Sequence, residues 1–296
     1  MRLITYRAAG APEDRLGLLD SKGEWVAPQE VLNLPYSDMN ELIASMTEEE
    51  RQQLSRRAED ESLFIVPADE IVLRAPIPYP KQDVICLGVN YLEHAREAAR
   101  FEKDSFDIQS SYPVYFSKRV NEAAGHRQGI PAYEDIVDSL DYEAELAVII
   151  GKDARNVREE DALDYIFGYT ILNDMSARNL QTRHTQWYFG KSLDGFTPMG
   201  PAIVTKDEIM YPPKLKIQTL VNGELRQSSS TDLLIFDIGY VIHELSQGMT
   251  LKAGTIISTG TPKGVGMGFT PPRFLHKGDV IECKIEKLGT LVNQID

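Results

Sequence analysis

Residues 141–152, DYEAELAVIIGK, contain an apolar run from Leu146 to Ile150 that offers no polar face to either side of a strand and ends at Gly151. Such a run fits a strand buried on both faces, so this segment is expected at the centre of the molecule. Two glutamates lead into it. Glu143 and Glu145 stand two apart, and a strand sends both to one face. Two carboxylates held together beside buried apolar surface repel each other and lose hydration, and a divalent cation is the usual remedy. Asp174 likewise closes an extended segment, Tyr169 to Leu172. Three carboxylates without thiolate or imidazole suit a hard cation, Mg2+ or Mn2+, and leave coordination positions open for water or substrate. The competing reading is a solvated strand face with a chance Glu-x-Glu pair, because Asp and Glu together number 45 among 296 residues.

That acidic excess also limits the partners. The chain carries 31 basic residues and a net charge of -14, with no Lys/Arg cluster of the kind that phosphate binding requires, so no nucleic-acid partner is expected. An anionic membrane surface is disfavoured for the same reason. The start, MRLITYRAAG, has no apolar core of a signal peptide, and no stretch approaches a membrane span. Cys86 and Cys283 form no CxxC and lie in strand-like runs. They are expected as reduced, buried thiols in a cytoplasmic protein.

Along the chain, residues 1–70 read as a small α/β unit. Strands are expected at Leu3 to Tyr6, Leu16 to Leu19 and Trp25 to Val26, followed by helical spacing over Asn40 to Arg57. Thr47 and Glu50 form a capping-box pattern that would split this helix in two. The Pro-rich stretch at 71–80 reads as a linker, since its prolines remove donors and fix φ. Residues 81–296 then form the larger domain. Asn222-Gly223 marks a type I′ hairpin inside Leu215 to Arg226, and a second hairpin is expected from Asp279 to Gln294 through Leu288-Gly289. Helices are expected at Leu92 to Arg100, Glu159 to Ile166 and Phe236 to Ser246. The fold class is α+β, rich in mixed or antiparallel sheet.

Four further segments carry chemistry. GVNYLEHAREA places His94 and Glu97 at i and i+3 on one helix face, where the carboxylate can orient an imidazole acting as general base; the plainer reading is an exposed ion pair. In NDMSARNLQ, a short helix would align Asp174, Arg178 and Gln181 on one face. FGKSLDGFTPMGP holds Lys191 in a loop shaped by Gly and Pro. ISTGTPKGVGMG sets Thr259 and Thr261 in a glycine-rich turn after a strand, with neither Walker A nor GxGxxG spacing. His126 lies in a loop that could approach this pocket, and His243 reads as a structural helix residue. His184 and His276 suggest no role.

Taken together, GVNYLEHAREA, DYEAELAVIIGK, GYTILNDMSARNLQ, WYFGKSLDGFTPMGP and MTLKAGTIISTGTPKGVG resemble the fumarylacetoacetate hydrolase family in order and spacing, over residues 72–295. The resemblance implies a mixed β-sandwich roll behind a small N-terminal domain, a homodimer, and a Mg2+ or Mn2+ ion. It implies metal ligation by Glu143, Glu145 and Asp174, and a catalytic set of His94, Glu97 and Lys191. Substrate contacts are implied for Arg178, Gln181 and Thr261, with Lys118 in PVYFSKRV as a further pocket lysine. The chain departs from the family pattern at Asn179, where Asp is usual, at Gly195, where Thr is common, and at Arg119, where Pro commonly follows the lysine. The segment Phe101 to Tyr112 is expected to contribute a lid over the site, and substrate choice is where these departures bear.

The expected activity is metal-dependent C–C cleavage of an anionic 2-oxo or 2,4-dioxo acid through a cation-stabilised enolate. Hydrolysis of an acylpyruvate or fumarylpyruvate leads, because the dyad supplies a general base. Oxaloacetate decarboxylation and isomerisation of a 2-hydroxyhepta-2,4-diene-1,7-dioate are the alternatives within the family. A non-catalytic scaffold is the alternative outside it, and it is opposed by the full retention of Glu143, Glu145, Asp174, His94, Glu97 and Lys191.

Overall fold

The strand Ala144–Ile150 is buried at every position, and its alternation divides two cores. Ala144, Leu146, Val148 and Ile150 point into one, Ala147 and Ile149 into the other. Full burial of side chains such as Leu146 and Val148 contributes roughly 1.5–3 kcal/mol each relative to exposure. The structure, a computed structural model, describes residues 1–98 and 112–296. The expected lid segment, apart from Tyr112, lies outside the described residues.

Among the described residues, the central strand belongs to an eleven-stranded mixed sheet. Ile166–Asn173 pairs antiparallel on one side of it and Ile256–Ser258 on the other. Val84–Gly88 joins Ile256–Ser258 in parallel, and Val114–Lys118 pairs antiparallel with Val84–Gly88 at that edge. In the other direction follow Met199–Thr205 and then Arg2–Ala8. A five-stranded sheet, which contains Lys216–Val221, Glu224–Ser230, Val280–Ile285 and Gly289–Ile295, shares one core with the first, in which Ile217, Cys283 and Leu291 cluster with Leu146 and Val148. This is the α+β architecture of large mixed sheets that the sequence indicated.

The N-terminal strands run Arg2–Ala8, Asp14–Leu19 and Trp25–Pro28. The helical stretch splits into Met39–Ser45 and Glu48–Arg57 at the capping box: Glu50 N–H donates to Thr47 Oγ1 and Thr47 N–H donates to Glu50. Met1, Leu3 and Leu42 share one core with Cys86, Ala147 and Met199. The stretch at 71–80 opens with a strand, Ile71–Leu73, paired to Arg2–Ala8, and then buries Ala75 and Ile77 completely.

The Asn222-Gly223 turn has both residues at positive φ, 51° and 78°, as a type I′ hairpin requires. Two helical expectations change. Glu159–Tyr165 is a 3-10 helix that ends as Ile166 enters its strand. Phe236 precedes the helix, which spans Ile238–Gly248 because Asp237 caps it by accepting from Tyr240 N–H. The helix expected over Leu92 to Arg100 is described as Leu92–Ala98.

Candidate functional site

The acidic cluster forms where two antiparallel strands begin and end. Glu143 stands one residue before the Ala144–Ile150 strand, a small correction to its placement within it. Its N–H donates to Asn173 Oδ1 at 2.9 Å, and its carbonyl accepts from Asp174 N–H at 2.8 Å. These bonds bring Asp174, just past the Ile166–Asn173 strand, against the two glutamates. Carboxylate oxygens of Glu143, Glu145 and Asp174 lie within 4.8 Å of one another, and all three residues are buried.

Two lysines share this charge. Lys191 Nζ donates to Glu143 Oε2 at 2.7 Å and to Asp174 Oδ2 at 2.8 Å, while Lys118 Nζ donates to Asp174 Oδ1 at 2.6 Å. Burial alone would raise the Glu143 carboxyl, but Lys191, Arg178 and His94 outweigh it and hold Glu143 well below the usual carboxylate range. Glu145 goes the other way. Burial, then the charges of Asp174 and Glu143, push it well above that range, against a hydrogen bond from Ser258. Ser258 Oγ and the Gly260 N–H both bind Glu145 Oε2, at 2.6 and 2.9 Å, which leaves Oε1 for an ion.

The donor set fits a hard divalent cation. Buried Asp141, Glu143, Glu145 and Asp174 face buried Lys118, Lys191 and Arg178. Fully ionised, these groups leave one negative charge. A divalent cation turns that into one positive charge, which suits an anionic ligand and holds Glu145 ionised.

His94 and Glu97 stand on the Leu92–Ala98 helix with His94 Nδ1 3.2 Å from Glu97 Oε2. The glycine-rich turn reaches across to them. Gly264 N–H donates to both oxygens of Glu97, at 3.2 and 3.1 Å, and a Cβ on Gly268 would collide with the same carboxylate. Between strand and helix, Val89 adopts φ 55°, a strained conformation for a β-branched residue, and Asn90 ties the turn to Thr259 and Phe236.

Arg178 opens the short helix Arg178–Arg183, so the helix cannot also carry Asp174, and the expected single helical face is corrected; what the two share is Glu143, which lies 2.6 Å from Arg178 Nη2 and accepts from the Asp174 N–H. Arg178 Nε donates to Asp141 Oδ2 at 2.9 Å and Nη1 to Gln181 Oε1 at 3.0 Å. Its Nη2 lies 2.6 Å from Glu143 and 2.9 Å from Asp141 yet is aligned for a hydrogen bond with neither. Lys191 ends the short helix Tyr188–Lys191 and does not sit in a loop. The helical turn forms because the Lys191 N–H bonds the Trp187 carbonyl.

One cavity is lined by His94, Glu97, Glu143, Glu145, Arg178, Gln181, Lys191 and Thr261, with Leu87, Val89, Phe116, Trp187, Val265 and Met267 as apolar wall. Asp174 and Lys118 lie behind that wall without exposure, so Lys118 meets Asp174 and the Met175 carbonyl where a direct substrate contact was expected. The Thr261 hydroxyl donates to the Ala144 carbonyl and accepts from Gln227. His126 lines a separate cleft beside Trp25 and Val72, its Nδ1 accepts from Val292 N–H, and burial pushes it down to about 4. His243 Nδ1 contacts the Val157 carbonyl. Cys86 and Cys283 are free and buried. No helix among the described residues is long and apolar enough to cross a membrane.

Sequence reasoning missed Asp141, Ser258 and Gly264. Asp141 was within reach, since it continues the same alternation as Glu143 and Glu145. Ser258 and Gly264 are found only through contacts to strands distant in sequence.

The model of the fumarylacetoacetate (FAA) hydrolase C-terminal domain matches residues 83–296. The chain is 50% identical over 232 residues to oxaloacetate tautomerase YisK of Bacillus subtilis (strain 168), covering 78% of this chain and 75% of that protein. Fumarylacetoacetate hydrolase from psychrophilic Exiguobacterium antarcticum superposes with a TM-score of 0.80 at 36% identity, covering 100% of this chain and 99% of that one. Maleylpyruvate hydrolase from Sphingobium sp. SYK-6, in complex with manganese(II) ion and pyruvate, gives 0.76 at 30% identity, over 100% and 98%. With its folded architecture and its acidic cluster, this chain belongs to the fumarylacetoacetate hydrolase family.

Proposed function

We propose that the chain is a divalent-cation-dependent oxaloacetate tautomerase, which interconverts the enol and keto forms of a small anionic 2-oxo acid. The observation that carries this reading is the 50% identity, over 78% of this chain, to a protein of that name. It displaces acylpyruvate hydrolysis as the leading activity and turns the dyad from water activation to proton transfer. Keto–enol exchange moves one proton between C3 and the oxygen on C2 and needs no positioned water.

Glu143, Glu145 and Asp174 would hold Mg2+ or Mn2+, which supplies Lewis-acid polarisation of a 2-oxo group. Glu97 engages His94 Nδ1, so Nε2 is the ring nitrogen left to exchange a proton with C3. Lys191 spends two N–H donors on Glu143 and Asp174 and keeps a third for charge on the C2 oxygen. The Arg178 guanidinium lines the same cavity, where its charge suits a substrate carboxylate. A homodimer belongs to this proposal as well, and light scattering reads it directly.

The test follows freshly dissolved oxaloacetate with Mn2+ by ultraviolet absorbance of the enol and, separately, by pyruvate released. Accelerated enol decay with slower pyruvate release is expected. No acceleration, together with cleavage of acetylpyruvate or fumarylpyruvate, would replace this reading with hydrolysis, the activity named for the Sphingobium neighbour.

A further inference from the structure

Asp141 has no exposure and does not line the cavity, yet five groups converge on its carboxylate. Oδ1 accepts from Tyr142 N–H at 2.9 Å and Gly266 N–H at 2.6 Å. Oδ2 accepts from Met267 N–H at 3.0 Å and Arg178 Nε at 2.9 Å, with Arg178 Nη2 also 2.9 Å away. A buried carboxylate is costly unless it is paired and fully hydrogen-bonded, and this one is both. Its partners belong to two segments that line the cavity. Arg178 is on one. The other is the 264–268 turn, which contributes Val265 and Met267 to the cavity wall and holds Glu97 through the Gly264 N–H.

We infer that Asp141 is a positioning residue for anion recognition: it fixes the plane of the Arg178 guanidinium and locks that side chain to the turn that holds Glu97. Arg178 is a long side chain with many rotamers, and it lines the cavity. The Nε bond to Asp141 and the Nη1 bond to Gln181 hold the guanidinium at two of its nitrogens and so define its plane, as a single charge contact cannot. The inference rests on the reading that Arg178 grips a substrate carboxylate. It does not depend on which reaction follows.

The test measures oxalate binding by calorimetry at saturating Mn2+ for the wild type, D141N, R178Q and the double variant, each first checked by thermal melting. In D141N the amide oxygen can keep Gly266 and Tyr142, while its NH2 confronts Arg178. Oxalate affinity is expected to fall roughly 10-fold or more, the scale of one charge-assisted contact. Because Asp141 acts through Arg178, D141N adds nothing further in the R178Q background. In turnover, KM for oxaloacetate rises more than kcat falls. Should D141N not fold, D141E carries the same expectation, since it keeps the charge but displaces it by one methylene; R178K closes the cycle if R178Q does not fold. A weakened R178Q beside an unaffected D141N would overturn this inference alone. Equal losses from D141N in both backgrounds would overturn it too, and an unaffected R178Q would overturn it together with the reading of Arg178 on which it rests.

Discussion

Glu143 and Glu145 stand two residues apart at the mouth of one buried strand, and their surroundings drive them to opposite ends of the carboxylate scale. Lys191 Nζ, 2.7 Å from Glu143, accounts for much of the difference, because the same ammonium places its second hydrogen bond on Asp174 and leaves Glu145 to Ser258 and the Gly260 N–H. Glu145 is thus the carboxylate most in need of a cation.

Stability should therefore depend on pH in a metal-sensitive way. A carboxyl raised above its unfolded value of about 4.3 contributes stability that is present below that value and lost as pH rises through its folded value. Glu145 does this. Glu143, held low, contributes stability that is lost only as pH falls below the ordinary carboxylate range. In EDTA the melting temperature is expected to decline as pH climbs from about 5, and saturating Mn2+ should flatten that decline by holding Glu145 ionised. Parallel curves with and without Mn2+ would count against the assignment.

Removal of the Lys191 charge in K191M leaves buried carboxylates facing one another. Breaking a buried ion pair from one side costs about 3–5 kcal/mol, so urea denaturation in EDTA should show a loss of that order. Mn2+ should restore more stability to K191M than it adds to the wild type. Equal Mn2+ effects on the two proteins would show that Lys191 does not share the cation's electrostatic role.

Proton transfer is tested at the dyad. H94N and E97Q are expected to slow enol–keto exchange by roughly 100-fold or more, while Mn2+ affinity, read by the melting shift on titration, stays near that of the wild type. An H94N enzyme with unchanged exchange rate would remove His94 from the mechanism.

Two glycines of one turn should fail in different ways. A Cβ on Gly268 meets the far end of the Glu97 side chain, which can move away, so G268A should lower kcat by displacing the dyad while it changes the melting temperature little. A Cβ on Gly264 meets the Arg226 backbone carbonyl, and Gly264 has φ 98°. G264A should therefore lose about 1–3 kcal/mol or more by denaturation. If G264A melts with the wild type, the close approach is not as described.

Much of this protein was legible in the chain alone. The run Leu146 to Ile150 dictated a strand buried on both faces, because no polar side chain interrupts it, and the spacing of Glu143 and Glu145 put two carboxylates on one face of its entrance. Local rules likewise determined the Asn222-Gly223 hairpin and the Thr47 capping box, which act within a few residues. The ordered motifs around them pointed to the family. Tertiary structure alone decided what each charged group does. Asp174 reaches the glutamates through its backbone N–H to the Glu143 carbonyl, Lys118 bonds Asp174 and does not line the cavity, and Asp141 spans Arg178 and the 264–268 turn. These assignments depend on distances between strands far apart in sequence and on which groups are removed from water. Periodicity along a chain encodes which face a residue takes, but not which partner waits on the other side.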